Sequence, residues 1–256
     1  MRTSLRVTLA ARPVLGTFIK LGRREVVEIL ASAGFDFAIC DLEHSQISEE
    51  EASTIILAGA ACSFPIIVRI ASLDVGLINR LLEAGAAGIQ LPQIQRRTQV
   101  TAFCNAARYP PLGERSISLA QPSAGYGSEP VADFIRRANE ETLLVGQLEA
   151  DAAESPLAEL IRGLDVAFIG LLDLTVDMGV PGKFDDPAVL QRVQEIKEAA
   201  AATSIPVGIY ADSPERARRA MDAGYHYIAL SSDLGALSSL AKGWMRQLRE
   251  SCAAKG

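Results

Sequence analysis

Short apolar runs alternate with longer amphipathic stretches along most of the chain. The apolar runs are continuous rather than strictly alternating with polar residues, which is typical of parallel strands buried on both faces. They predict eight strands, at Val14–Ile19, Asp36–Asp41, Pro65–Ile70, Gly88–Leu91, Leu143–Glu149, Val166–Gly170, Pro206–Tyr210 and Tyr227–Ser231.

The amphipathic stretches between these strands indicate helices. The predicted helices include Arg24–Ala33, Glu49–Ala61, Asp74–Ala84, Arg96–Ala107, Pro187–Ala202 and Pro214–Ala223, and we expect Gly34, Gly85 and Gly224 to cap three of them. Strand and helix alternate over 256 residues, the usual size of a barrel of eight strand–helix units. The sequence therefore predicts the α/β class and a single (β/α)8 TIM barrel domain over residues 1–256. An open doubly wound sheet is the alternative, but the first strand–helix turn lacks its GxGxxG sequence.

One segment interrupts this alternation. Residues Tyr109–Ser128 are rich in Pro, Gly and Ser and include Arg115, and they are longer than a typical connection in such a fold. Loops of this length in a compact domain usually serve as lids or as interface arms. We expect this segment to be such a lid or interface arm.

Composition and charge narrow the class of protein. The chain is 49% apolar and 22% charged, its net charge is −6, and its basic residues are scattered, so nothing indicates binding to nucleic acid or to a membrane surface. No apolar stretch reaches the roughly 18 residues that a membrane span needs. The cysteines lack a CxxC pair and are predicted to be reduced core thiols of a cytoplasmic protein: Cys40, Cys62, Cys104 and Cys252.

Polar and ionisable side chains fall at the carboxyl ends of several predicted strands, where barrel enzymes have their active sites. They are Asp41, Glu43, His44, Arg69, Gln147, Glu149 and Asp173. The proposed topology brings them to one rim of the barrel, although they are far apart in sequence.

Glu149 and Asp173 end neighbouring strands of this barrel. Two such carboxylates can hold a hard divalent cation such as Mg²⁺ or Mn²⁺, while water and substrate complete the coordination. Alternatively, each carboxylate caps the helix that follows it. Their position on adjacent strand ends favours the metal site.

His44 and Arg69 are candidates for chemistry. A histidine after a strand is usually structural, but Asp41 and Glu43 lie next to His44, and a carboxylate partner can orient an imidazole and stabilise its charge. Arg69 could pair with a buried carboxylate or clamp a carboxylate or enolate oxygen of a substrate. The negative side chains expected around it favour the clamp. His226 begins the last strand, at the opposite end of the barrel, so we assign it no chemistry.

Four segments together resemble the class II pyruvate aldolases that cleave hydroxy-oxo-acids, such as 4-hydroxy-2-oxoheptanedioate aldolase and 2-dehydro-3-deoxyglucarate aldolase. The segments are AGFDFAICDLEHS (33–45), RYPPLGERS (108–116), GQLEA (146–150) and FIGLLDLTVDMGVPG (168–182). The similarity runs from about Leu15 to about Asp233. The chain departs from the family pattern at Leu171 and Leu172, which stand where the family has Pro, or Pro followed by Tyr or Ser.

The resemblance implies a barrel of the phosphoenolpyruvate/pyruvate type and a role for each matching residue. Glu149 and Asp173 match the ligands of a divalent metal (Mg²⁺, Mn²⁺ or Co²⁺). His44 matches the base that acts through a metal-bound water, with Asp41 as its partner, and Arg69 matches the residue that stabilises the pyruvate enolate. The substrate-binding groups would be Gln147, Gly170 and the backbone N–H groups of Leu172 and Asp173.

The same resemblance implies a homo-hexamer, built as a trimer of dimers with an exchanged terminal helix, whose partners are a small oxo-acid and an aldehyde. The implied reaction is cleavage of a 4-hydroxy-2-oxo-acid to pyruvate and an aldehyde. An enolate of pyruvate needs a Lewis acid and a cationic donor in place beforehand. A Schiff-base lysine is not required, and Lys20 is its one candidate.

Two other functions compete with this one. A related acyl-CoA lyase of the malyl or citramalyl type should carry a basic patch for coenzyme A, and none is clear in the sequence. A non-catalytic barrel is the third possibility. The non-catalytic barrel is disfavoured because four candidate site residues are present together: His44, Arg69, Glu149 and Asp173.

Overall fold

The protein, described here over residues 4–253 of a computed structural model, is a closed barrel of eight parallel strands in chain order, with β8 beside β1. The predicted fold is therefore confirmed, and each strand begins and ends within one residue of its predicted limits. The strands are β1 (Val14–Ile19), β2 (Phe37–Asp41), β3 (Ile66–Arg69), β4 (Gly88–Leu91), β5 (Leu143–Leu148), β6 (Val166–Ile169), β7 (Val207–Ala211) and β8 (Tyr227–Ser232).

The six predicted helices are also present within one residue at either end. The described helices are α1 (Leu5–Ala11), α2 (Arg24–Ser32), α3 (Glu49–Ala61), α4 (Val75–Ala84), α5 (Arg97–Ala107), α6 (Val131–Glu141), α7 (Leu157–Leu160), α8 (Leu171–Asp177), α9 (Pro187–Thr203), α10 (Pro214–Asp222) and α11 (Asp233–Ala253), with a 3-10 helix at Pro122–Gly127. Gly85 ends α4 at a φ of 107°, where its N–H donates to the carbonyls of Leu81 and Leu82. Gly34 and Gly224 follow α2 and α10 with positive φ as well.

Large side chains fill the inside of the barrel. Tyr227 is fully buried there, with its ring centroid 4.5 Å from that of Phe37 and 6.1 Å from that of Phe168. Leu5 and Leu9 of α1 belong to the same apolar cluster, so this short helix covers the amino-terminal end of the barrel. A ligand that reaches the barrel axis must therefore enter at the carboxyl ends of the strands.

The long segment Tyr109–Ser128 packs on the outside of α4 and α6. Arg115 is buried within it, where its Nε donates to Asn79 Oδ1 at 3.0 Å and its guanidinium carbon lies 4.6 Å from the centre of the Tyr109 ring. Arg137 of α6 donates to the backbone carbonyl of Ser123 at 3.0 Å. Arg115 of this loop is thus engaged in contacts that hold the loop in place within the single chain.

The cysteines only partly match their prediction. Cys40 is buried, and burial raises the pKa of its thiol to about 12. Cys104 is half-buried, whereas Cys62 is exposed at the end of α3, so the prediction of a core thiol is wrong for Cys62. The side chain of Cys252 lies outside the described residues. None of the helices between residues 4 and 253 combines the length and the apolar character that a bilayer crossing requires.

Candidate active site

Strand register brings polar side chains together at the carboxyl ends of β2, β3 and β4. Asp41 lies opposite Arg69, and Arg69 lies opposite Gln90. All three are buried. Buried polar groups are stable only when they are paired, so this layer of the barrel depends on the contacts among its members.

Asp41 is the centre of this layer. Arg69 donates to it twice, from Nε to Oδ1 at 2.9 Å and from Nη2 to Oδ2 at 2.8 Å. Lys20 donates from Nζ to the same Oδ2 at 2.6 Å, and the backbone N–H groups of Glu43 and His44 donate to Oδ1 at 3.1 and 3.2 Å. Burial would raise the pKa of Asp41, but Arg69, Lys20 and the backbone donors hold that pKa well below its ordinary value.

These contacts correct two expectations. Arg69 does pair with a buried carboxylate, the alternative that the sequence disfavoured, because register places Asp41 directly across from it. Asp41 bonds the backbone N–H of His44 and not its imidazole, so the predicted Asp41–imidazole partnership is wrong. The His44 side chain is 62% exposed, and its Nε2 lies 3.9 Å from Glu43 Oε2.

Glu43 connects this cluster to the next one. Its Oε2 lies 3.2 Å from Nη1 of Arg69, yet this buried oxygen accepts no hydrogen bond. Burial raises the pKa of Glu43, and the charges of Asp41 and Asp173 add to this effect against the opposing charge of Arg69. Arg69 therefore supplies a positive charge next to this oxygen, but the oxygen still lacks a hydrogen-bond donor.

Glu149 follows β5 directly and is 8% exposed. Its Oε1 accepts the backbone N–H of Gln93 at 2.8 Å, and its Oε2 accepts the side-chain amide of Gln147. The amide of Gln90 in turn donates to Gln147 Oε1 at 2.7 Å. Burial raises the pKa of Glu149 despite these hydrogen bonds, with the charges of Asp173 and Glu43 contributing.

Gly170, at the end of β6, lets Glu149 come close. A Cβ atom at position 170 would lie 2.8 Å from the Cβ of Glu149, closer than real Cβ atoms approach. The backbone of Gly170 has an ordinary φ of −80°. Space for Glu149, rather than backbone conformation, is therefore what this position requires.

A cavity of about 580 Å³ opens at this end of the barrel. Arg69, Gln147, Gly170, Leu172 and Asp173 line it, and Asp173 is exposed in the first turn of α8. The remaining wall is mostly apolar: Phe18, Phe168, Leu171, Phe184, Ile209, Tyr210, Ala211 and Ala220, with Lys20, Asp212, Arg216 and Ser232.

Several predicted contributors do not line this cavity, among them Asp41, Glu43 and Glu149 of the predicted rim. No residue of Tyr109–Ser128 does so in the described chain, and neither does the exposed His44. A second cavity, of about 660 Å³, lies at the opposite end of the barrel and includes His226, as predicted for the position of that histidine.

Lys20 and Gln90 take part in this site in ways that the sequence did not predict. Lys20 was considered only as a Schiff-base candidate, whereas it bonds Asp41 at the rim of the cavity. Gln90 is a fully buried amide in a strand that is otherwise Gly, Ile and Leu. A polar side chain within so short a buried strand was the signal that could have identified it.

Within residues 4–253, no group of three or more His, Cys, Asp or Glu side chains is arranged to hold a metal ion. A site of two carboxylates, with water and substrate as further ligands, is nevertheless the type that Mg²⁺ commonly uses. Glu149 and Asp173 fit this type, because burial and then the charges of Asp173 and Glu43 raise the pKa of Glu149, and a bound cation would offset both effects.

Comparisons with known proteins agree with the fold and identify the family. Residues 15–239 match the family described as HpcH/HpaI aldolase/citrate lyase. A hydroxypyruvate/pyruvate aldolase of Paraburkholderia phytofirmans is 30% identical over 230 residues, which are 87% of this chain and 88% of that one. A 4-hydroxy-2-oxo-heptane-1,7-dioate aldolase of Shigella sonnei is 29% identical over 249 residues, 94% of this chain and 93% of that one.

Solved structures include an HpcH/HpaI aldolase/citrate lyase family protein from Burkholderia cenocepacia, with a TM-score of 0.88, 26% identity and coverage of 96% of this chain and 98% of that one. The family match and the named relatives define an enzyme that makes or breaks carbon–carbon bonds, of the pyruvate aldolase type. The chain belongs to the HpcH/HpaI aldolase/citrate lyase family. Members of this family generally depend on a divalent metal ion.

Proposed function

We propose that this enzyme reversibly cleaves a 4-hydroxy-2-oxo-acid to pyruvate and an aldehyde, using a divalent metal ion. Relatives named as hydroxypyruvate/pyruvate and 4-hydroxy-2-oxo-heptane-1,7-dioate aldolases support this class of substrate. One observation carries the proposal. Arg69, Gln147 and Asp173 line one cavity, and Gln147 donates to the carboxylate of Glu149.

In this proposal Glu149 and Asp173 hold the metal ion, for which Mg²⁺, Mn²⁺ and Co²⁺ are the candidates. When bound, the ion supplies a Lewis acid that favours the enolate form of pyruvate. Gln147 and the backbone N–H of Gln93 fix the Glu149 carboxylate in one orientation. Gly170 keeps open the space that Glu149 occupies.

Arg69 supplies the fixed positive charge at the cavity. Asp41 takes two of its donors and holds the guanidinium in place, and the ring of Phe18 lies 4.7 Å from its central carbon. Its charge stabilises the enolate oxygen of the oxo-acid without the cost of reorientation during the reaction. Gln147 and the backbone N–H groups of Leu172 and Asp173 complete the oxo-acid site in this scheme, because the first turn of α8 leaves N–H groups without intrahelical acceptors.

His44 holds and moves the proton in the proposed reaction. Its backbone is anchored by Asp41, while its exposed imidazole reaches toward Glu43. An imidazole can both accept and donate a proton, so it can serve in both directions of a reversible reaction. We propose that it reaches the substrate from the rim of the cavity.

The proposal is tested by pyruvate release from a panel of 4-hydroxy-2-oxo-acids. Activity should disappear with a chelator and return with Mg²⁺, Mn²⁺ or Co²⁺, and calorimetry should show weakened metal binding in Glu149→Gln and Asp173→Asn. Asp177→Asn, on the same short helix as Asp173, is the matched control and should bind metal normally. Full activity in a chelated, metal-free sample would disprove the metal site.

We also propose that the enzyme is a homo-hexamer with α11 in its contacts. Large apolar side chains recur on this helix while 52–61% exposed: Leu237, Leu240, Trp244 and Leu248. An apolar stripe of this kind is characteristic of a protein contact. Light scattering should give the mass of six chains, and Trp244→Glu should dissociate them; a monomeric wild-type protein would contradict the proposal.

A further inference from the structure

Lys20 is fixed at both ends at the rim of the cavity. Its backbone N–H donates to both carboxylate oxygens of Asp233 at 3.0 Å. Its Nζ donates to Asp41 Oδ2 at 2.6 Å and to the backbone carbonyl of His44 at 2.9 Å. A lysine ammonium has three donors, so the described residues use two of them and one remains for a ligand. The side chain is 23% exposed and lines the cavity.

Lys20 also lies beside Arg69. Both cations donate to the same oxygen, Oδ2 of Asp41. In a 4-hydroxy-2-oxo-acid, a single carbon, C3, separates the two carbons that carry the C2 and C4 oxygens. One substrate molecule can therefore present its C2 oxygen to Arg69 and its C4 oxygen to Lys20.

We infer that Lys20 is a catalytic residue that binds the C4 oxygen of the substrate and stabilises its negative charge, an inference that rests on the proposed function. In cleavage, the C4 hydroxyl loses its proton to the base and becomes the aldehyde carbonyl. The C3–C4 bond breaks, and its electron pair forms the pyruvate enolate. Lys20 keeps its proton throughout, and in the reverse direction the same donor polarises the aldehyde carbonyl.

This role differs from that of a Schiff-base lysine. A Schiff base requires a free neutral amine, whereas Nζ of Lys20 is held as a hydrogen-bond donor to Asp41 Oδ2 and to the backbone carbonyl of His44. A charged ammonium is a hydrogen-bond donor and not a nucleophile. The geometry thus assigns Lys20 to the oxygen of the aldehyde and not to the carbonyl carbon of pyruvate.

Two reactions of the metal-loaded enzyme separate this role from a structural one. Cleavage of a 4-hydroxy-2-oxo-acid involves the C4 oxygen, while exchange of the pyruvate methyl protons with D₂O forms the same enolate with no C4 present. Lys20→Met should lower kcat/KM for cleavage by about 10²-fold, the usual effect of losing one donor to a developing charge. Exchange should fall by less than about tenfold.

Lys20→Arg, which keeps a cation, should recover part of the cleavage rate. Lys197→Met, at the cavity on the opposite end of the barrel, is the matched control. If thermal melting shows that Lys20→Met does not fold, Lys20→Gln replaces it, because its amide can still donate to Asp41. We then expect the same excess of the loss in cleavage over the loss in proton exchange.

An equal loss of both reactions would show that Lys20 acts only through Asp41 and Arg69, and it would overturn the inference. Unchanged cleavage would overturn it as well. Failure of the proposed function has a different signature, because the wild-type enzyme would then perform neither reaction.

Discussion

Arg69 and Asp41 form a two-point ion pair between facing positions of β3 and β2, with N–O distances of 2.9 and 2.8 Å. Asp41 is fully buried and Arg69 is 8% exposed. The pair therefore holds the Arg69 guanidinium in place. Each partner neutralises the buried charge of the other.

Asp41→Asn should destabilise the protein by about 3–5 kcal/mol at neutral pH, because it leaves Arg69 and Lys20 without their shared counter-charge. Denaturant unfolding measures this effect. The exposed Asp222, which pairs with Arg218, provides a control in Asp222→Asn, with an expected cost of at most about 1 kcal/mol.

The same pair predicts the dependence on pH. The pKa of Asp41 is lower in the folded protein than in the unfolded chain, so its contribution is complete above the ordinary Asp value and is lost as the pH falls through the lowered one. The difference in stability between wild type and Asp41→Asn should therefore narrow in acid. A difference that stays constant down to the acid transition would show that Asp41 is not stabilised by its charge.

Gly170→Ala should weaken metal binding, because the added methyl group takes the space of Glu149. We expect a loss of about 10–100-fold in affinity, as for changes that disturb the support of a ligand. Gly243 lies in α11 with no atom near the position of an added Cβ, so Gly243→Ala is the control and should bind metal as the wild type does. Equal metal affinity in both variants would show that Glu149 is not a ligand.

The sequence predicted the strands and helices closely because continuous apolar runs and glycine ends are local signals. It also identified the rim residues, since their place at strand ends follows from the topology. It did not predict the partners within the rim. Whether Asp41 bonds the ring or the backbone of His44, or whether Arg69 faces Asp41, depends on register and rotamers across several strands, which no local pattern specifies.

His44→Ala should lower cleavage by about 10²–10⁴-fold, the scale expected for removal of a general base. The imidazole is 62% exposed, so its loss should leave the melting temperature nearly unchanged. His226→Ala, at the opposite end of the barrel, should retain cleavage. Near-native turnover of His44→Ala would mean that another group moves the proton.

Tyr210→Ala should change the choice of aldehyde. Its ring lies 6.2 Å from that of Phe18 in the apolar part of the cavity wall and is 45% exposed. Loss of the ring should reduce kcat/KM for apolar aldehydes more than for small polar ones when the addition to pyruvate is measured with a panel. An unchanged order of preference would place the aldehyde elsewhere.

The most direct test of the central claim follows the methyl protons of pyruvate by NMR in D₂O, with no aldehyde present. In the presence of Mg²⁺ or Mn²⁺, a metal-dependent enzyme that forms the pyruvate enolate should exchange these protons for deuterium. The exchange should stop after chelation and resume when the metal is restored. Free metal at the same concentration provides the background rate. Metal-dependent exchange above that background is the result we predict, and exchange that is absent with metal or unaffected by chelation would contradict the account.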